Sequence, residues 1–379
     1  MKLTSEYGLH IVSFDVPYPP DYGGVIDVFY KIRALHRLGI RIVLHCYEYG
    51  RGRPEALKPY CSEVFYYPRR TGWMSQLSLT PYIVKSRSAM QLCRRLAADD
   101  LPILFEGLHT TAFIDNPLLR YKLKIYRESN IEHQYYLHLA KAAPSLGEKI
   151  FYRVEALRLR LYQPRLKHAQ LMLTVSKADT DYLAGKFPQN QVEYLPSFHG
   201  HEQVTSLPGR GEYALFHGNL SVAENLVAVT FLIKEVFAGL DYPLVVAGKN
   251  PPQQLKKLIA QTPGVKLVAN PDADAMNALI KNAHLHVLFT FQPTGLKLKL
   301  LNTLYQGRHC LVNSHMLVGT GLDALCHVAD TAEALREEIL RLASVPFTPD
   351  AIEMRDRFLS HHYSDEKNAK RLMDWVFKK

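Results

Sequence analysis

Residues 10–39, HIVSFDVPYPPDYGGVIDVFYKIRALHRLG, contain a strand, a turn and a helix in succession, and this unit decides the fold. The mainly apolar run over 10–15 is typical of a buried strand. A turn rich in proline and glycine follows, and apolar residues at helical spacing predict a helix over 25–38 that ends at Gly39. A strand that leads directly into a helix is the building unit of parallel-sheet α/β proteins.

The same alternation of strand and helix recurs along the whole chain. In the first half, the pattern predicts strands at 41–47, 64–67, 103–106, 124–126 and 171–175, and helices at 148–168 and from 177 onward. In the second half, it predicts strands at 213–217, 243–247, 265–268, 285–289 and 310–313, with helices at 223–237, 253–261, 274–282, 296–305 and 364–377. Residues 196–211 lack apolar periodicity and are the predicted linker. We therefore predict two Rossmann-like parallel-sheet domains, 1–205 and 206–360, and a C-terminal helical segment, 361–379.

Composition narrows the class of protein. The chain has 379 residues, 47% apolar and 22% charged, which suits two ordinary domains and excludes extended disorder. Its five cysteines are scattered singly, so neither a disulfide framework nor a zinc site is predicted. The sequence has no apolar run of membrane-spanning length and no signal-peptide pattern, and we predict a cytoplasmic, soluble or peripheral protein. Most of the net charge of +10 lies in residues 1–205 and indicates an anionic partner, yet no nucleic-acid-binding motif accompanies it.

The loops after the strands carry the candidate chemistry, because parallel sheets bind ligands outside the carboxyl ends of their strands. The strongest signal is TGLKLKLL, residues 294–301, which follows a strand and opens a helix. Lys297 and Lys299 lie in its first turn, beside the positive end of the helix dipole, where cations are unfavourable unless an anion joins them. This arrangement predicts a pyrophosphate site; the alternative is a solvated basic face on a helix with a packed apolar side.

Weaker signals lie in three further loops. Gly23 and Gly24 before the first helix, and Gly218 with Asn219 after a strand of the second half, would let a phosphate approach the backbone. A tight turn and a helix cap are the alternatives. His109 and the segment 127–133 follow two neighbouring strands of the first half and are predicted to lie at the same cleft. No metal-binding spacing is present, so no metal is expected.

Taken together, these residues resemble the GT-B glycosyltransferases of family 4, especially a bacterial subgroup active in surface polysaccharide assembly. The matching stretches are 19–24 (PPDYGG), 106–109 (EGLH), 130–133 (NIEH), 216–221 (FHGNLS) with Glu224-Asn225, 295–301 (GLKLKLL) and 319–322 (GTGL). The resemblance implies the GT-B fold, in which two Rossmann-like domains face each other across a cleft and the last helix crosses back to the first domain.

The resemblance also implies an activity. A protein of this kind is a retaining hexosyltransferase that needs no cofactor or metal. It moves a hexose from a GDP- or UDP-linked donor to a glycan or lipid-linked oligosaccharide. The donor would contact a set of residues from both domains: Gly23, Gly24, Gly218, Asn219, Thr294, Gly295, Leu296, Lys297, Lys299 and Asn302. The candidate catalytic residues are His109, Asn130 and Glu132. Relatives carry glutamates at the positions of Thr294 and Asn302, and a histidine at that of Ser129. These departures leave two alternatives open: a different enzyme on the same scaffold, such as a nucleotide-sugar epimerase or a phosphorylase, and a non-catalytic nucleotide-sugar-binding protein.

Segment 148–168 raises a separate question about membranes. It is rich in arginine and lysine, and Ile150, Val154, Leu157 and Leu161 recur at helical spacing. A basic amphipathic helix of this kind could rest on the anionic inner face of a membrane. The alternative is an ordinary surface helix whose apolar stripe is buried.

Overall fold

The computed structural model describes residues 7–72, 78–143, 145–292 and 298–378. The chain divides into two compact units: unit 1 is Met1–Gly200 with Tyr363–Lys379, and unit 2 is His201–His362. The predicted linker, 196–211, is described throughout and contains neither helix nor strand, apart from an antiparallel bridge between Gly209 and Phe347.

Unit 1 is built on a seven-stranded sheet in which every pairing is parallel, with the strand order β3-β2-β1-β4-β5-β6-β7. The strands are β1 Gly8–Ser13, β2 Arg41–Glu48, β3 Glu63–Pro68, β4 Ile103–Glu106, β5 Lys124–Arg127, β6 Leu171–Thr174 and β7 Gln191–Tyr194. The helices before unit 2 are α1 Gly23–Arg37, α2 Tyr82–Lys85, α3 Met90–Leu96, α4 Glu132–Ala142, α5 Leu146–Tyr162 and α6 Lys177–Lys186.

Unit 2 is built on a six-stranded sheet, also parallel, with the order β10-β9-β8-β11-β12-β13. Its strands are β8 Ala214–Asn219, β9 Leu244–Lys249, β10 Val265–Ala269, β11 Leu285–Leu288, β12 His309–Val312 and β13 His327–Val328. Its helices are α7 Ala223–Phe231, α8 Gln253–Ala260, α9 Ala273–Asn282, α10 Leu298–Gln306, α11 Ser314–Leu317, α12 Ala332–Ala343 and α13 Pro349–His362. The two parallel sheets with helices between their strands confirm the predicted α/β class.

The last helix, α14 (Asp365–Phe377), belongs to unit 1. Its buried residues Ala369, Leu372 and Val376 pack in the same core cluster as Ile32 and Leu35 of α1. Because these side chains recur every three or four residues, they form one apolar face that only a tertiary partner buries. The prediction that the terminal helix returns to the first domain is confirmed.

The helix predicted over 148–168 is wrong in its extent. The structure divides this region into α5, which ends at Tyr162, and a 3₁₀ helix, Gln163–His168. Pro164 lies at the junction, and a proline lacks the N–H group that would continue the α-helical hydrogen bonds. Helix α4, which packs beside α5, and helices α12 and α13 were not predicted at all.

A buried ionic cluster joins α1 to the middle of the sheet in unit 1. Lys31 Nζ lies 3.0 Å from Asp27 Oδ2 and 2.7 and 2.9 Å from the two oxygens of Glu106. Arg127 Nη2 lies 3.3 Å from Asp27 Oδ1, and the backbone N–H of Phe198 donates to the same oxygen at 2.7 Å. Burial opposes the ionisation of Asp27, but Arg127 and Lys31 outweigh it and lower the pKa of Asp27 to about 2. Two cations thus face two carboxylates away from water.

We expect Lys31→Met to destabilise the protein by about 3 kcal/mol, because it leaves buried carboxylates without their cation. Urea denaturation, monitored by circular dichroism, measures the change in the free energy of unfolding. The matched control is Lys58→Met, which removes a cation that is 70% exposed and paired with Glu55, and should cost less than about 1 kcal/mol. Adding Glu106→Leu to Lys31→Met should restore part of the lost stability; equal stability of Lys31→Met and wild type would contradict the role of the cluster.

Candidate active site

In unit 1, the loops that follow β1 and β4 meet around the ring of Phe14. A Cβ atom on Gly24 would lie 2.5 Å from Phe14 Cζ, so glycine lets α1 pass this close to the ring, and a larger residue would require the ring to move. The ring of His109 lies on Phe14 with 5.4 Å between centroids. Gly107 has a φ of +73°, a conformation that turns the chain from β4 towards His109 and favours glycine. The structure therefore brings Gly24 and His109 together around Phe14, and it places Gly23 and Gly24 in the first turn of α1 rather than before the helix.

His109 also lies beside a carboxyl group in the first turn of α4. Its Nδ1 atom is 3.8 Å from Glu132 Oε1, has no hydrogen-bond partner among the described residues, and is buried. Burial, with smaller contributions from Arg87 and Arg69, lowers the pKa of His109 well below its ordinary value. Burial raises the pKa of Glu132 to about 8, although Arg87 opposes the rise. At neutral pH, this pair is an uncharged imidazole beside a protonated carboxyl group, a proton donor suited to general acid catalysis.

Asn130 lies between Glu132 and a second buried carboxyl group, that of Glu128. The Asn130 backbone N–H donates to Glu128 Oε1 at 3.3 Å, and the Tyr126 hydroxyl donates to Oε2 at 2.7 Å. Burial, then the nearby Glu132, raises the pKa of Glu128 well above its ordinary value. Asn130 thus contributes its backbone to this cluster. No role was predicted for Glu128, although it directly follows β5, and nothing in the local sequence points to Arg87.

In unit 2, the loop after β8 and the first turn of α10 are joined through one side chain. Lys299 Nζ donates to Asn225 Oδ1 at 3.1 Å, and Asn225 Nδ2 donates to the backbone carbonyl of Asn219 at 2.9 Å. The Lys299 ammonium also lies 5.4 Å from the centre of the Phe216 ring. Gly218, Asn219 and Lys299 are therefore brought together, and Asn225 is the residue whose bridging role the sequence did not reveal.

His217 lies in the same cluster, at the end of β8. It is 5% exposed, and neither ring nitrogen has a hydrogen-bond partner among the described residues. Burial, then the charge of Lys299, lowers the pKa of His217 to about 3, so the ring is neutral. Buried polar atoms are normally hydrogen-bonded, and a group that is not so bonded is a candidate for contact with a ligand. No role was predicted for His217, which belongs to the stretch 216–221 that resembles family 4.

The remaining predicted donor residues precede α10 in the sequence or lie within it. Thr294, Gly295, Leu296 and Lys297 lie outside the described residues. Asn302 lies in α10, where its Oδ1 accepts a hydrogen bond from Gln306 Nε2 at 2.8 Å. The Asn302 amide oxygen therefore already has a partner within its own helix.

Two features of the described residues concern metals and membranes. In the parts of the chain that the structure describes, no group of three or more His, Cys, Asp or Glu side chains is placed to hold a metal ion. Among the same residues, no helix combines the length and the apolar character that crossing a bilayer requires.

The raised pKa of Glu132 predicts a pH-dependent stability. The folded-state pKa of about 8 lies above the ordinary 4.5, so the folded state loses stability as the pH rises from 4.5 to 8. Glu132→Gln cannot ionise. The free energy of unfolding of this variant, relative to that of wild type, should therefore rise by about 5 kcal/mol across this range and stay level above it. Urea denaturation at several pH values measures the difference, and Glu337→Gln, at an exposed position of α12, is the control. A pH-independent difference for Glu132→Gln would contradict the prediction.

The chain is similar to one curated protein and to many solved structures. No family model matches it. An "uncharacterized 44.6 kDa protein in cps region" of Klebsiella pneumoniae is 25% identical over 330 residues, covering 82% of this chain and 84% of that protein. TarM superposes with a TM-score of 0.71 at 8% identity, covering 99% of each chain.

Two further solved structures are of proteins with a bound nucleotide or a stated role. Anabaena HepE, in complex with UDP and glucose, has a TM-score of 0.65 at 10% identity and covers 98% of this chain and 99% of its own. WaaG, "a glycosyltransferase involved in lipopolysaccharide biosynthesis", has a TM-score of 0.64 at 11% identity, over 98% of this chain and 100% of its own. At these identities the likeness shows the fold, and along nearly its whole length the chain has the GT-B fold of the glycosyltransferases.

Proposed function

We propose that this protein is a glycosyltransferase that moves a hexose from a nucleoside diphosphate sugar to a glycan or lipid-linked oligosaccharide acceptor. The observation that carries the proposal is the cluster of Lys299, Asn225, Asn219 and His217 in unit 2. It combines a cation, amide groups and an imidazole that has no hydrogen-bond partner in the described part of the chain, at a point where a strand ends and a helix begins. Such a combination suits a diphosphate, which needs positive charge and several hydrogen-bond donors.

The chemistry assigned to this cluster is stabilisation of the leaving group. When the bond to the sugar breaks, the departing nucleoside diphosphate gains negative charge on its terminal phosphate. Lys299 and the N-terminal end of α10 would offset that charge, and preorganised groups of this kind stabilise a transition state without a bound metal. Metal independence is accordingly part of the proposal.

Unit 1 supplies groups that suit the sugar and the acceptor. Glu132 holds a proton at neutral pH, and His109 is uncharged, so the pair can donate a hydrogen bond or a proton without attracting a counter-ion. Retention of anomeric configuration, which the resemblance to family 4 implies, is part of the proposal. The cps region of the Klebsiella relative and the lipopolysaccharide role of WaaG support a surface glycan as the product.

The first test is calorimetric titration with UDP, GDP and their hexose conjugates, with and without EDTA. UDP is the leading probe, since HepE was crystallised with it. We expect one nucleotide to bind with an affinity that EDTA does not change. Lys299→Ala should weaken binding by about tenfold to a hundredfold, the usual loss for a charge-assisted hydrogen bond. Lys257→Ala, an exposed lysine of α8, is the matched control. Absence of binding to every member of the panel would overturn the proposed donor site.

The second test separates catalysis from binding. His109→Ala and Glu132→Gln should slow the turnover of the donor identified by titration by about a hundredfold or more, the range for loss of an acid–base group. Both should leave the dissociation constant of the free nucleoside diphosphate unchanged, because that ligand lacks the sugar. Release of the diphosphate measures the rate, and the anomeric configuration of the product by NMR tests retention. Donor binding without any turnover would instead favour a binding protein, and conversion of the donor sugar to an isomer would favour an epimerase.

A further inference from the structure

Helix α5 exposes an apolar stripe to solvent. Its five members are spaced three or four residues apart and share one helical face. They are Leu146, Ile150, Val154, Leu157 and Leu161, with exposed fractions of 73, 53, 42, 57 and 71%. Single exposed apolar residues are ordinary, but a contiguous row marks an interaction surface. The alternative of an ordinary surface helix with this stripe buried is therefore wrong, and we call these five residues the α5 stripe.

The orientation of α5 is fixed by the opposite face of the helix. Glu155 is buried, and its Oε2 accepts the backbone N–H of Tyr82 at 2.8 Å. The Tyr162 hydroxyl donates to the backbone carbonyl of Thr111 at 2.8 Å, and Leu159 packs in the core of unit 1. Rotating the helix to bury the α5 stripe would break these contacts and expose Leu159. The fold itself therefore holds the stripe outward.

Basic side chains border the stripe. Lys149, Arg153 and Arg160 follow one of its edges, and within the described part of the chain none of the three forms an ion pair. The two acids of α5 are already engaged: Glu148 caps the helix with Ser145, and Glu155 pairs with Arg158 at 2.6 Å. Helix α4, packed beside α5, adds exposed Leu137 and Lys141. The surface around the stripe therefore carries an uncompensated positive charge.

The positive charge around the α5 stripe indicates what kind of partner binds there. A second copy of the chain, docked through the same face, would bring its own Lys149, Arg153 and Arg160 towards these cations, which is unfavourable. A bilayer that contains anionic lipids offers phosphate groups for the border and acyl chains for the stripe. An amphipathic helix with an apolar face and a lysine- and arginine-rich border lies in such an interface with its apolar side inserted.

We propose that α5 docks this protein on an anionic lipid bilayer, with the α5 stripe inserted at the level of the acyl chains and its basic border at the phosphates. Two forces of different character then contribute to binding. Burial of the stripe does not depend on ionic strength, whereas the attraction of the arginines is screened by salt. This surface acts independently of the donor site, so it stands whether or not the proposed activity does.

The test is flotation of the 379-residue chain with vesicles of two compositions: phosphatidylcholine alone, and equal parts of phosphatidylcholine and phosphatidylglycerol. We expect wild type to float with the anionic vesicles and, at low salt, to bind neutral vesicles at least about tenfold more weakly. Leu157→Glu with Leu161→Glu should reduce binding by at least about a hundredfold at any salt concentration, because two exposed anchors become anions. Arg153→Glu with Arg160→Glu should weaken binding by about tenfold or more and flatten its salt dependence.

Two controls keep the test decisive. Leu340→Glu changes a leucine of α12 that is 50% exposed, and it should leave vesicle binding unchanged. Thermal unfolding and nucleotide titration show that each variant is folded and separate failure of this proposal from failure of the donor site. Equal flotation of wild type and Leu157→Glu/Leu161→Glu, or no flotation of wild type, would overturn the proposal. So would light scattering that shows a wild-type dimer and a monomeric Leu157→Glu/Leu161→Glu variant, because the stripe would then be an interface between copies.

Discussion

The buried pairing of Lys31 with Asp27 and Glu106 is the interaction on which unit 1 depends. Asp27 lies three residues after Gly24, and Glu106 directly precedes Gly107, so one cation holds the two loops that meet around Phe14 and His109. Arg127 extends the cluster to β5 and donates to the backbone carbonyls of Leu195 and Pro196, where the chain leaves the sheet. Such a cluster is costly to break, because any one missing partner leaves a buried charge. The positions of the candidate catalytic residues are therefore tied to the stability of the unit.

Unit 2 orders its loops with side-chain hydrogen bonds that centre on Thr290 and Asn225. Thr290, which follows β11, donates its hydroxyl to Glu224 and exchanges two hydrogen bonds with the Asn313 side chain, which follows β12. Asn225, adjacent to Glu224, connects Asn219 to Lys299. These contacts leave Lys299 as the cation of a cluster whose other members are amides and a neutral imidazole. A site of this composition favours an anion and owes its geometry to the ends of parallel strands.

Burial sets the charges of the candidate site more than any individual partner does. It keeps His109 and His217 uncharged and Glu132 protonated at neutral pH. Helix α5 shows the reverse: its one deeply buried charge, Glu155, is neutralised by Arg158, while its apolar stripe faces water. Within one unit, the fold thus hides polar groups near the candidate chemistry and exposes apolar groups at its surface. Both arrangements go against the general preference of these side chains, and they are the grounds on which a function is proposed for each.

The sequence by itself determined the alternation of strand and helix, the two sheets and the loops in which the candidate site residues lie. These follow from local rules, because the apolar period identifies each element and glycines such as Gly39 mark where the chain turns. The return of α14 was implied by the resemblance to family 4. The sequence did not determine which face of α5 is buried, since periodicity shows that Ile150 and Leu157 share a face without showing what covers it. Nor did it reveal the bridging role of Asn225 or the protonation of Glu132. Those properties depend on residues distant along the chain, such as Lys299, Arg87 and Tyr82, and only tertiary packing brings them into contact.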